Sequence, residues 1–414
     1  MDRKKILLLT AGYPPENGGS YNYFYELLQR SSHEITVLTS QYPGTEKSDG
    51  ADKQEIKRNF ISTLLLVRDG RLQKLFPKYS WFWEFLSKAF DKMLIVRMAV
   101  YALIILRCLI EILSGKYDLV WCGHSCLPYG VVGPLLKIVF RKQYFCWIYG
   151  EEVTEIQRCG HPISLWLLKL TANNAENVMT VSKATSHRLK SIGVNPEIIK
   201  VSYPGVDIER FRPFYHVNRF RRRFAPNGES IVLSVGRLID RKGFDSVIKI
   251  FPQILKRFGP VKYIIAGSGP EKKSLELITK EKNLNGSIIF LEGVTFDELP
   301  EIYNACDIFV MPNRIGKNYG DVEGFGMVFL EASSCGKPVI AGRSGGAVEA
   351  VKDRFTGFVV DPDNEEELEN RIVELISNKA SASQMGKNGY NRCRRQFTWE
   401  KTYRELNEII AETA

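Results

Sequence analysis

The chain has 414 residues, 44% of them apolar and 25% charged, which is too long for one ordinary core and too apolar for a disordered protein. Its net charge of +10 is uneven: residues 1–200 hold 26 Lys and Arg against 18 Asp and Glu, and the remainder 31 against 29. The N-terminal half therefore favours an anionic partner, a lipid surface or a phosphorylated acceptor, with a basic surface that binds nothing as the plainer alternative; the absence of a basic helix or RNA-binding signature argues against nucleic acid.

Eight cysteines sit in apolar or helical contexts without a C-x2-C pair, as reduced core thiols of a cytoplasmic protein do. Residues 6–10 read as a buried parallel strand, too short an apolar run for a signal peptide. The loop after it ends in Gly18-Gly19 before a helix over residues 20–30, so a phosphate or a mere turn fits there. Residues 34–39 form the next strand.

Residues 41–90 are irregular and basic, with Lys53, Lys57, Arg58, Arg68, Arg71, Lys74, Lys78 and Lys88 around Phe76, Tyr79, Trp81, Phe82, Trp83 and Phe85. This mixture suits a membrane interface as well as it suits internal packing of an insertion. Residues 93–113 are strongly apolar, yet Arg97, Arg107 and Glu111 interrupt them, and no uncharged run approaches the ~20 residues needed to span a bilayer. Those charges fall on one stripe of about 80 degrees, which predicts a mostly buried helix with one wet edge.

Strands over residues 118–122 and 143–149 deliver Gly123-His124 and Tyr149-Gly150-Glu151-Glu152 at the ends where open α/β sheets bind ligands. His124, Tyr149, Glu151 and Glu152 are the candidate acceptor or sugar contacts. After further strands over 177–182 and 199–203, an Arg-rich connector with Arg219, Arg221, Arg222 and Arg223 is expected to be solvated.

A second sheet begins over residues 230–235 and delivers Gly236-Arg237, followed by Lys242; Gly267-Ser268-Gly269 and Glu292-Gly293-Val294 follow the next two strands. The strand over 307–311 leads to Asn313 and Arg314, the latter a candidate phosphate contact. Then comes Glu323-Gly324-Phe325-Gly326-Met327-Val328, with a helix over 327–334 that carries Glu331 two turns on, near the same face. A glycine turn opening a helix brings amides close to a phosphate. Gly336 and Gly345-Gly346 mark two further turns. Asp361-Pro362-Asp363 reads as a turn and cap rather than a metal motif, and no metal is expected. Thr398 is the predicted N-cap of the last helix.

The E-x7-E spacing of Glu323 and Glu331 around a Gly-x-Gly turn resembles the nucleotide-sugar site of the GT4 family of retaining glycosyltransferases. The resemblance implies an α/β chain of the GT-B fold, two doubly wound Rossmann-like domains facing across a cleft. It implies an acceptor-side domain over residues 1–205, a nucleotide-sugar domain over 206–395, and a terminal helix over 396–414 returning to the first. Glu323 would contact the donor sugar and Glu331 the ribose, with Arg237 and Lys242 on the pyrophosphate. Gly18, Gly19, Gly267, Gly269, Val294, Arg314, Gly324, Phe325, Gly326, Met327 and Val328 would complete the donor site.

One departure is Tyr149, standing where the family often has a His that touches the sugar. The wording of residues 314–342 most resembles the branch acting on phosphatidylinositol mannosides. That implies a cytoplasmic hexosyltransferase, at the inner face of the membrane, that needs no cofactor beyond its nucleotide-sugar co-substrate. GDP-mannose is the first choice of donor, and a lipid or cell-surface glycan is the acceptor. The alternatives are a UDP-sugar enzyme and a non-catalytic nucleotide-sugar-binding partner.

Overall fold

Continuous runs of Ile, Val and Leu become parallel strands buried on both faces, because helices cover each side of the sheet. The structure, a computed structural model, describes residues 3–13, 19–40, 55–59, 94–124, 129–160, 162–214, 219–316 and 321–413. The chain divides into two compact units, one of Met1–Thr180, Ser186–Ser202 and Tyr403–Ala414, the other of Val181–Thr185 and Tyr203–Thr402.

In the first unit the strands are β1 (Lys5–Leu9), β2 (Glu34–Ser40), β3 (Glu55–Asn59), β4 (Leu119–Cys122), β5 (Tyr144–Ile148), β6 (Asn177–Thr180) and β7 (Ile199–Val201). They run parallel in the order β3-β2-β1-β4-β5-β6-β7, with Leu7 opposite Thr36 on one side and Val120 on the other. The helices are α1 (Gly19–Gln29), α2 (Leu94–Ser114), α3 (Tyr129–Phe140), α4 (Glu151–Cys159), α5 (Pro162–Asn173) and α6 (Lys183–Ser191).

The strands of the second unit are β8 (Ser230–Val235), β9 (Val261–Ala266), β10 (Ile288–Leu291), β11 (Ile308–Met311), β12 (Val339–Gly342) and β13 (Gly357–Val360), all parallel in the order β10-β9-β8-β11-β12-β13. Its helices begin with α7 (Arg219–Phe224), α8 (Phe244–Phe258), α9 (Lys272–Glu281) and α10 (Leu299–Ala305). There follow α11 (Met327–Ser334), α12 (Ala347–Ala350), α13 (Glu365–Ser377), α14 (Lys379–Gln396) and α15 (Trp399–Glu412). Each sheet has its own core, Leu7, Val120, Cys146 and Ile104 in one, Val232, Ile265, Val310 and Phe251 in the other.

Several expectations change. Within the stretch read as irregular, Glu55–Asn59 extends the first sheet as edge strand β3 beside β2. The aromatic run and the basic residues from Arg68 onward lie outside the described residues. In the connector, Arg219, Arg222 and Arg223 are exposed as expected, while Arg221 is only part-exposed and donates to Asp307 (3.0 Å) and to the Ala305 carbonyl (2.9 Å). On helix α2 the charge expected at the wet edge is turned inward: Glu111 is only 5% exposed and accepts from Tyr117 Oη at 2.8 Å and from the part-buried Arg107 at 3.2 Å. The wet edge is not the charged one.

At the end of the chain Thr398 Oγ1 accepts the Lys401 N–H at 3.2 Å, capping α15 as the sequence indicates. From Tyr403 onward the chain belongs to the first unit, where Tyr403 Oη meets the Ser32 N–H (2.8 Å) and Asn407 Oδ1 meets His33 Nε2 (2.6 Å). Cys108, Cys122, Cys146, Cys306, Cys335 and Cys393 are buried free thiols.

Candidate active site

Ligands of open parallel sheets lie beyond the strand ends where the strand order reverses. In the second unit this happens between β8 and β11, which adjoin each other. Strand β8 exits through Gly236-Arg237 and β11 through Pro312-Asn313-Arg314. The two exits are tied by backbone: the Arg314 N–H donates to the Arg241 carbonyl at 2.9 Å. Gly243, at φ +72°, lies so close that a Cβ there would stand 2.2 Å from the Pro312 carbonyl oxygen.

Glu323 Oε2 gathers three donors from these exits, Lys242 Nζ at 2.6 Å, Asn313 Nδ2 at 2.8 Å and Arg241 Nη1 at 2.9 Å. Arg241 also reaches Asp321 through Nε at 2.7 Å. Burial alone would raise the Glu323 carboxyl, but Lys242 and Arg241 overcome it and hold the group down at about 2. Lys242 is pulled below the ordinary ammonium value, chiefly by burial and further by the charges of Arg241 and Arg237, against which Glu323 works. The two downward shifts thus have different main causes, neighbouring cations for Glu323 and burial for Lys242, and three cations share the space of two carboxylates. The cluster keeps a surplus of positive charge.

This has a consequence at acid pH. A carboxyl whose folded value is depressed contributes stability that is complete above its ordinary value of 4.5 and is lost as pH falls toward about 2. Melting temperatures of the native chain and of Glu323→Gln should therefore differ most above pH 4.5 and converge toward pH 2. A difference that stays constant over that range would refute the ionised assignment.

Arg237 is exposed and makes no ion pair among the described residues, though it lies close enough to Lys242 to weigh on its charge. Arg314, expected at a phosphate, is instead buried. Its guanidinium is engaged by Asp245 at 2.8 Å, by Asp240 at 2.5 Å and by Ser246 at 3.2 Å. Its observed work is to brace the Asp240–Lys242 turn against α8.

Helix α11 starts at Met327, as the sequence predicts, on Gly326 at φ +89°. Glu331, on its second turn, accepts from the buried Tyr303 Oη of α10 at 2.6 Å. Phe325 is buried against Tyr203 and Phe397, so its ring is structural packing. The Gly324 and Glu323 carbonyls lie against Gly346 and Gly345, where added Cβ atoms would stand 2.2 and 2.0 Å away. Beyond them, Glu349 accepts the Lys183 and Ala184 N–H groups, both at 2.9 Å, and Tyr203 Oη at 2.8 Å.

Gly267 and Gly269 also have a packing reason. A Cβ on Gly267 would stand 1.9 Å from the Gly236 carbonyl oxygen, and one on Gly269 2.4 Å from that of Leu238. Val294 is half-buried on the loop leaving β10. Gly19 opens α1, one residue ahead of the predicted start, and Gly18 lies outside the described residues.

In the first unit the corresponding strand ends carry a separate group. His124, after β4, has a buried Nδ1 without a partner among the described residues and lies 6.0 Å from the Tyr149 ring and 6.2 Å from that of Tyr21. Burial lowers its pKa to about 4, so the ring is neutral near pH 7. Glu152, in the first turn of α4, accepts the Tyr149 N–H at 3.1 Å. Burial, with the Glu151 charge adding to it, raises the Glu152 carboxyl to about 7; Glu151 itself is exposed.

Sequence reasoning passed over Arg241, Asp321 and the carboxylate contact of Asn313. The available signal was a second cation beside Lys242 facing a second acid beside Glu323, which an Arg-Lys pair in a turn hides as ordinary surface charge.

The comparisons agree with this architecture. Residues 218–392 match the family profile described as glycosyl transferases group 1, and residues 18–210 the profile described as glycosyltransferase family 4. A GDP-mannose-dependent alpha-(1-6)-phosphatidylinositol monomannoside mannosyltransferase of Mycolicibacterium smegmatis is 28% identical over 98% of each chain. An uncharacterised glycosyltransferase of Methanocaldococcus jannaschii is 27% identical over 98% of this chain and 97% of its own. A crystal structure of Anabaena HepE in complex with UDP and glucose superposes with a TM-score of 0.76 at 20% identity, covering 99% of this chain and all of that one. Both Rossmann-like halves thus find their counterparts, and the chain belongs to glycosyltransferase family 4, as a hexosyltransferase of the GT-B fold.

Proposed function

We propose that this enzyme moves mannose from GDP-mannose to a lipid-linked or cell-surface glycan acceptor, with retention and without a metal ion, at the cytoplasmic face of the membrane. The observation that carries this reading is the buried, ionised Glu323 with Lys242 and Arg241 on one oxygen and the uncommitted Arg237 beside them. Transfer from a nucleotide sugar leaves a nucleoside diphosphate, whose growing charge needs fixed cations. Lys242 spends one of its three N–H donors on Glu323, and the others remain for the phosphates. Arg237 supplies the second cation.

In this reading Glu323 holds the sugar hydroxyls, Glu331 the ribose, and amides from Gly324 to Val328 the diphosphate. The acceptor hydroxyl attacks from the side on which the phosphate departs, and the departing phosphate takes its proton. No separate base is needed, so Tyr149 in place of a His is tolerated. His124, Tyr149, Glu151 and Glu152 of the first unit hold the acceptor.

The family branch and the name of the mycobacterial relative support GDP-mannose. HepE, whose structures hold UDP or UDP-glucose, supports the UDP-sugar alternative. Product formation by the purified chain with GDP-mannose and with UDP-glucose separates them. Donor binding without turnover of either would instead identify a non-catalytic partner.

Tyr303 gives a sharper test of the ribose assignment. Tyr303→Phe removes a hydrogen bond to a charged group, so the KM for donor should rise about tenfold with kcat nearly unchanged. An unchanged KM would release Glu331 from that role.

A further inference from the structure

Helix α2 is built the wrong way round for a helix in water. Met98, Ala99, Ala102, Leu103, Leu106, Ile110 and Leu113 are all exposed, Leu106 at 53% and Leu113 at 61%, while Glu111 on the opposite side is buried. At the α-helical repeat the seven exposed residues fall within a sector of roughly 140 degrees and run along most of its ~30 Å length. Helix α3 packs against both α2 and α5, and α3 and α5 in turn expose Ile138, Val139, Ile163 and Trp166. Scattered exposed apolar side chains need no explanation, but seven aligned along one face of a helix mark an interaction surface.

The charges around this face select the partner. The sequences of α2, α3 and α5 contain a single carboxylate, Glu111, and it is turned inward. Among the described residues, the exposed cations that adjoin these helices in the chain are Lys116, Arg141 and Lys142. Lys137 is spent on Glu176, and Asp118 on the Lys5 N–H at 2.8 Å. A second copy would bring the same cations face to face. An anionic lipid surface accepts apolar side chains between its acyl chains and cations at its headgroups. No helix among the described residues is long and apolar enough to cross a membrane.

We propose that the α2–α3–α5 face is the membrane-docking surface, with α2 lying in the plane of an anionic leaflet. The inference rests on the lipid-acceptor reading only in its choice of membrane; the surface is read from the helix itself. Docking brings the first unit to the layer where a lipid acceptor resides.

The test is flotation of the full chain with phosphatidylcholine–phosphatidylglycerol vesicles at low salt, with Leu106→Glu/Ile110→Glu as the variant. Both positions are half exposed, so the variant keeps its fold, checked by its melting curve and by the melting shift that donor nucleotide produces. We expect the native chain to float with anionic vesicles and not with phosphatidylcholine alone, and the variant to bind about tenfold or more weakly. Flotation of the variant equal to that of the native chain would overturn the proposal, as would equal binding of the native chain to neutral vesicles. So would a native dimer that the two substitutions dissociate without changing flotation. Turnover of a soluble acceptor is read separately, so a failure of the glycosyl-transfer reading leaves a different trace.

Discussion

Glu323→Gln is expected to lower both stability and turnover. The amide leaves Lys242 and Arg241 short of a counter-charge in a buried site, a loss of about 3–5 kcal/mol by analogy with other broken buried ion pairs. It also weakens the contact proposed to the sugar hydroxyls, which should reduce kcat about a hundredfold. Denaturant unfolding reads the first effect, and single-turnover kinetics below the melting transition read the second. Destabilisation with normal turnover would leave Glu323 a structural anchor and remove it from the chemistry.

Arg237→Ala should separate those effects. Its side chain is exposed, so unfolding free energy should stay within about 0.5 kcal/mol of the native value. If its guanidinium meets the leaving diphosphate, turnover should fall about a hundredfold, with Arg237→Lys recovering part of it. Stability lost in Arg237→Ala without a kinetic defect would contradict the assignment. The pair of variants thus distinguishes a cation that waits for the ligand from an anion that builds the site.

Most of the second unit was legible in the chain. Parallel strands buried on both faces read as unbroken apolar runs, as in Ile231, Val232 and Leu233, and the glycines after them announce turns. Helix α11 was readable to its ends because Gly326 and Gly336 bracket it. What periodicity could not supply was the direction in which charges point. Arg314 looked like a phosphate ligand because its partners, Asp240 and Asp245, are about 70 residues away in sequence and meet it only through the sheet. The edge strand Glu55–Asn59 was hidden for the opposite reason: a polar strand at the margin of a sheet has no apolar run to betray it. On α2, the wheel put Glu111 on the wet edge, whereas it is buried, since the wheel takes water as the only solvent.

The backbone contacts of the second unit divide the loops proposed to hold the donor into a fixed part and a free one. Where Gly236 meets Gly267 and Glu323 meets Gly345, main chain rests on main chain with no room for a methyl group. A library aimed at a new sugar should therefore leave those glycines alone and diversify Val294, Met327 and Val328, half-buried side chains whose replacement disturbs no such seam. Chemistry at this site can be retuned by exchanging what projects from the loops while their path through space stays put.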